Sequence, residues 1–167
     1  HEARRVIKIY RETNHKINKL WRDAQLFLKD GNTFGLYGVL FVEDGKILLP
    51  SGLHLRYDDL QFTTTDKGVE FDYKTRRGRT RIYGGKIIEN VCQAIARCII
   101  GEQMLQIAKR YRVVLTVHDS IACCVKDEEV DEAQEYIEEC MRRPPEWADG
   151  LPIDCESGKG KSYGECD

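Results

Sequence analysis

No apolar run in the 167-residue chain approaches the ~18 residues that cross a bilayer, which excludes a helical membrane span and removes a membrane from the expected partners. The chain as read does not open on a basic stretch followed by an apolar one, so a secretory leader is not expected. Bulk charge is lacking as well. Lys and Arg number 26 against 28 Asp and Glu, for a formal net charge of −2. Overall charge therefore announces no nucleic-acid partner, and only its uneven distribution can carry one. No CxxC pair occurs and no histidine spacing suits zinc. The cysteines are odd in number: Cys92, Cys98, Cys123, Cys124, Cys140, Cys155 and Cys166. Reduced thiols in a cytosolic protein, several of them small core residues, are expected in place of a disulfide framework. Low-complexity segments, repeats and interdomain linkers are absent too, and residues 1–167 are expected to form a single domain with a real core.

What is present reads as α+β: an antiparallel sheet with long helices packed on one side. Residues 2–29 are expected to be helical in two parts. Ile17, Leu20, Trp21, Ala24, Phe27 and Leu28 recur at helical spacing, and Thr13 or Asn14 can cap the second part. Gly31-Asn32 is the expected stop. Residues 34–83 form a β-rich stretch in which Asp44-Gly45 is a hairpin turn signal, with further strands at 53–57, 60–65, 69–73 and 79–83. A helix over 85–111 carries a broad apolar face of Ile87, Ile88, Val91, Ile95, Ile99, Met104, Leu105 and Ala108. A hairpin follows at 113–125. A helix at 128–142 comes next, with an acidic start and Arg142-Arg143 at its end, and Pro144-Pro145 stops it. A short strand at 151–156 and a Gly-rich tail complete the 151–167 segment.

The hairpin, VVLTVHDSIACCV, holds the chemistry. Val113, Val114, Leu115 and Val117 are too apolar to be expected at the surface, so His118 and Asp119 project from the end of a buried sheet. A carboxylate fixed in that way suits Mg²⁺, which takes one or two protein carboxylates and completes its shell with phosphates and water. Equally, Asp119 can make an Asx-turn that closes the hairpin. Charge is uneven in KTRRGRTR, residues 74–81, where Lys74, Arg76, Arg77, Arg79 and Arg81 stand without an acid and Lys86 follows. This is a phosphate-binding stripe or a solvated edge strand with gatekeeper charges. Asn90, Gln93 and Arg97 share one helix face, either as donors to a duplex minor groove or as an ordinary polar surface.

Together, YGGKIIENVCQAIAR at 83–97, VVLTVHDSI at 113–121, LPSGLHLRY at 49–57 and ESGKGKSYGE at 156–165 resemble the C-terminal part of the palm of family A (DNA polymerase I-like) DNA polymerases, most similar to phage types. YRETNHKINKLW, residues 10–21, resembles the helix after the fingers of that family. The resemblance implies that Asp119 is one of two aspartates binding two catalytic Mg²⁺ ions, which clamp the attacking primer oxygen and the leaving pyrophosphate. It further implies that His118 steadies the primer terminus, that Gln93 senses terminal base pairs, and that the basic stripe holds the duplex backbone. Primer–template DNA and deoxynucleoside triphosphates are then the partners, in the cytoplasm of a bacterial or phage-infected cell.

The sequence departs from the family pattern. Ser120 stands where Glu is frequent, Glu89 (with Asn90 beside it) where Asn is, Cys98 where Asp is, and Tyr163 where Trp is. The D-x-S-x-x-E-type motif with the second aspartate is missing, as is a fingers helix with Arg and Lys, and Asp58-Asp59 reads as a surface pair. The expectation is a fragment or split subunit, inactive alone, whose Mg²⁺ site is shared with an upstream polymerase segment. Its unpaired palm face should leave apolar surface for that segment or for a second copy. The alternative is a non-catalytic, duplex-DNA-binding accessory subunit. A small metal-dependent nuclease built on Asp119 is a third reading, and it needs further clustered acids.

Overall fold

The amphipathic N-terminal segment folds as two helices, α1 (Glu2–Thr13) and α2 (His15–Asp30), in the computed structural model of the chain. It describes residues 2–30, 35–36, 39–42, 45–66 and 68–166, with side chains omitted at 27, 29, 30, 35–36 and 39–42. Asn14 sits at the break, but its side chain does not cap α2. Its amide donates back to the Tyr10 carbonyl (3.0 Å), the acceptor that its own backbone N–H also uses (2.8 Å). Asn14 thus gives the Tyr10 carbonyl a second donor at the end of α1. The expected stop at Gly31-Asn32, and Asp44 of the expected turn, lie outside the described residues.

The chain folds as two compact units, His1–Ala94 and Ile95–Asp167, where the sequence reading has one domain. Where the sequence reading has a single sheet, the described residues form three separate antiparallel sheets. The first unit holds two of them. One joins β1 (Gly35–Leu36), β2 (Val39–Val42), β3 (Lys46–Leu48) and β4 (His54–Arg56). The other joins β5 (Gln61–Thr65), β6 (Gly68–Thr75) and β7 (Gly78–Ile82). The expected turn glycine, Gly45, has φ +68°, and a Cβ there would fall 2.4 Å from the Tyr57 carbonyl oxygen, so only glycine fits the approach of β4's end. Ala24, Leu28, Ile47, Leu49, Tyr57, Phe71, Ile82, Ile87 and Val91 are buried.

Helix α3 (Gly84–Ile107) starts in the first unit and ends in the second, four residues short of the expected 111. Its last turn tightens through Arg110 N–H to the Ile107 carbonyl (3.1 Å), and the chain then leaves as a strand. In the second unit, β8 (Arg112–Val117) and β9 (Ser120–Cys124) form the hairpin, and a 3-10 turn at Asp127–Glu129 leads into α4 (Val130–Arg142). Arg143 is extended, as the residue before a proline must be. Ile107, Tyr111, Ala133 and Cys140 make the core there, with Val113, Ile121, Cys123 and Ile137 packed against it.

Residues 151–156 form no strand. Residues 154–161 are instead strapped by side chains to α4 and to the 3-10 turn before it. Arg142 bonds Asp154 (3.0 Å), Ser157 bonds Glu138, and Lys159 and Lys161 pair with Asp131 and Asp127. None of the seven cysteines is in a disulfide among the described residues, and no described helix is long and apolar enough to cross a membrane.

Candidate functional site

The β8–β9 ladder closes at Val117↔Ser120, so His118 and Asp119 alone make the turn. His118 carries the positive φ (+53°) that such a tight reversal demands. A non-glycine residue in the left-handed region stores about 1–2 kcal/mol. The Asp119 carboxylate is exposed and makes no hydrogen bond or ion pair among the described residues, so the Asx-turn is not formed. A rigid ladder therefore presents a carboxylate that the fold itself does not use.

The hairpin is not buried as expected. Val114 is 47% exposed, Leu115 42% and Val117 39%. The cause is a register shift between Val113 and Leu115, which pair with the consecutive residues Cys123 and Ala122 and leave Val114 as an extra residue. Side chains alternate with a period of two, so one added residue changes the face of everything after it. Val113 and Thr116 are half-buried, while Leu115 and Val117 face solvent.

The residues present do not fit a two-ion Mg²⁺ site. Among the described residues no three His, Cys, Asp or Glu side chains come together as metal ligands. Asp58 and Asp59 are exposed and ion-paired, with Arg56 (3.2 Å) and Arg79 (2.7 Å).

On α3, the candidate contacts separate. The Asn90 amide donates to the Tyr57 hydroxyl (3.0 Å) in a half-buried bond, so it is committed to the first unit's interior and is not a free groove contact. Burial lifts the Tyr57 phenol above its ordinary pKa, and the Asn90 bond opposes that rise. Gln93 is exposed, with one long contact to Glu89 (3.5 Å). Arg97, one turn on, is exposed and has no acidic partner among the described residues.

The basic stripe divides too. It lies on the β6–β7 hairpin, with Lys74 opposite Arg79 and Arg76-Arg77 as the turn. Arg79 is clamped between Asp59 and Asp72, and these hydrogen bonds raise its pKa further while lowering that of Asp59. Arg81 pairs with Glu70 (2.7 Å) and Lys86 with Glu89 (2.7 Å). Lys74, Arg76 and Arg77 are exposed and form no ion pair among the described residues, although Lys74 still acts on the Asp59 carboxylate by charge. The stripe therefore divides into three cations outside ion pairs at a hairpin end and three held in ion pairs.

A second basic region escaped the sequence reading. Arg4, Arg5, Lys8, Arg11, Lys16, Lys19, Arg22 and Lys29 stand against Glu2, Glu12, Asp23 and Asp30 in the sequence of α1 and α2. Arg11, Trp21, Arg22 and Tyr83 line a groove of about 880 Å³ there. The signal was local charge, averaged away by the net charge of −2.

The chain is similar to a DNA polymerase of Bacillus phage SP02, with 31% identity over 176 aligned residues that cover 91% of this chain and 26% of the phage protein. It thus spans about a quarter of that relative's length. No protein-family model matches the chain, and no solved structure matches it.

Proposed function

We propose that the chain is the C-terminal palm segment of a phage-type, family A DNA-directed DNA polymerase, lending Asp119 and His118 to a nucleotidyl-transfer site on primer–template DNA. The observation that carries this reading is the unbonded Asp119 carboxylate on a strained two-residue turn, in a chain 31% identical to part of a phage DNA polymerase. The tight reversal itself calls for the positive φ, and strained positions of this kind cluster at active sites. Mg²⁺ is the cofactor in this reading, but one carboxylate does not hold it, so a segment with the second palm aspartate and the fingers helix must complete the site. The exposed Val114, Leu115 and Val117 supply apolar surface for that segment.

The test is primer extension with the four deoxynucleoside triphosphates and Mg²⁺, by the chain alone and with a polymerase segment carrying the missing motifs. Extension should appear only in the mixture. Asp119→Asn should cut it by ~10²-fold or more, the scale of losing one preorganised electrostatic group, with DNA binding retained. Extension by the chain alone, or no effect of Asp119→Asn, overturns the proposal.

A second reading, duplex binding without catalysis, has one observation on its side: among the described residues Asp119 belongs to no group of three or more His, Cys, Asp or Glu side chains that could hold a metal ion. It makes Lys74, Arg76 and Arg77 the main contacts. Their replacement by Gln should then flatten the salt dependence of duplex binding by a log–log slope of about 0.9 per phosphate released, and Asp119→Asn should change nothing.

A further inference from the structure

We infer that the open edge of β5 pairs with the β5 of a second copy of this chain, joining two three-stranded sheets into one. The sheet runs in the order β5-β6-β7, so the side of β5 away from β6 meets no strand among the described residues. Folded chains blunt such edges with charges, prolines or bulges, because a bare edge is a template for another strand. β7, the opposite edge, follows that rule, since Arg79 and Arg81 lie on it. β5 does not. It reads Gln-Phe-Thr-Thr-Thr, without a charge or a proline, and its register with β6 is unbroken from Gln61↔Asp72 to Thr65↔Gly68. The edge is also held in place at both ends. Arg79 bonds the Asp59 carboxylate and the Asp59 carbonyl (2.7 Å each) just before the strand, and the Thr65 hydroxyl donates to the Gly68 carbonyl (2.9 Å) at its end. A strand ordered in advance loses less entropy on pairing.

The apolar row of the sheet runs out to this edge uncovered. Ile82, Phe71 and Phe62 stand side by side across the three strands. Ile82 and Phe71 are buried, but Phe62, with its ring 6.2 Å from that of Phe71, is 67% exposed. A further strand on the edge would cover Phe62 and continue the row. The sequence of β5 says which strand fits, because it is its own complement. An antiparallel pair centred on Thr63 places Phe62 opposite Thr64 of the second copy, and Thr64 opposite Phe62 of that copy. Aromatic and β-branched side chains directly opposite each other stabilise such ladders, and no like charges meet. Side chains alternate along a strand, so the twofold puts both Phe62 rings on one face of the joined sheet. β7 shows the contrast. Paired with itself about Thr80, it would set Arg79 against Arg81 of the second copy, twice over.

The test is sedimentation of the whole chain over a concentration series, in which a reversible dimer is expected. Phe62→Lys, at an exposed position, removes both aromatic pairs and charges the edge, and should weaken the dimer about tenfold. Thr63 is exposed as well, and Glu70 across from it is already paired with Arg81 (2.7 Å). Thr63→Lys and Thr63→Glu each set like charges against each other at the twofold, so each alone should dimerise about fivefold more weakly. The two mixed should form a heterodimer about as tight as the parent dimer, and circular dichroism should show every variant folded. A chain that stays monomeric throughout the series overturns the inference. So does a dimer untouched by Phe62→Lys, or a Lys–Glu mixture that stays apart. A dimer that Leu115→Lys dissolves and Thr63→Lys leaves intact overturns it too, and belongs to β8. Should the chain alone be monomeric and Phe62→Lys abolish binding of the upstream polymerase segment, the inference fails and the edge belongs to that segment.

Discussion

His118 holds the tip of the hairpin in a conformation that costs an L-residue energy, and the cost can be measured. His118→Gly removes the Cβ clash, worth about 1–2 kcal/mol, and adds back roughly 0.5–1 kcal/mol of backbone entropy. The expected result in urea denaturation is a chain as stable as the parent or up to ~1 kcal/mol more stable, while His118→Val, β-branched at positive φ, is clearly destabilised. Loss of stability on His118→Gly would mean that the imidazole makes a stabilising contact that outweighs the strain. At the same scale, Asn90 and Gln93 look alike in the sequence, but only Gln93 is exposed, because Tyr57 takes the Asn90 amide.

Among the elements, α4 and the strap over it depend on exposed ion pairs. A hydrogen bond from Lys159 holds the Asp131 carboxyl below its ordinary pKa. Ser157 and then Arg142 do the same for Glu138, and Arg142 and the Cys155 N–H for Asp154. Depressed carboxylate pKa values contribute stability that is fully present above the unfolded values, about 4, and is lost as pH falls through the lower folded ones. Amide exchange at residues 154–161 should therefore rise below about pH 4, and also in 1 M salt, where the Debye length shrinks to about 3 Å. Exchange that ignores both would show the strap held by packing alone. The β8–β9 hairpin is legible from composition, but its exposed face is not, since the extra residue at Val114 follows from pairing with β9.

For the molecule as a whole, exposed Val114, Leu115 and Val117 are apolar surface on a strand that a soluble monomer would cover. Under the function proposed above, the occupant is the polymerase segment with the missing motifs. Leu115→Lys should abolish co-sedimentation with that segment while leaving the circular dichroism of the chain unchanged. Sedimentation of the chain alone as a concentration-dependent dimer that Leu115→Lys disrupts would instead make a second copy the occupant.

Local sequence is enough to place the helix spans, the break near Asn14, the hairpin tip at His118-Asp119 and the strands β4–β7. Each depends on periodicity, turn chemistry or a proline, which act within a few residues. Which cations are free is a matter of packing. Arg79 sits among its basic neighbours in sequence, yet it is neutralised by Asp59, 20 residues away, and by Asp72 across the β6–β7 ladder. Packing also leaves the Asp119 carboxylate unbonded, turns apolar residues of β8 outward, and brings Gly84 so close to the Trp21 carbonyl that no Cβ fits. These are distances between residues remote in sequence. They follow from how elements pair and pack, and no local pattern encodes them.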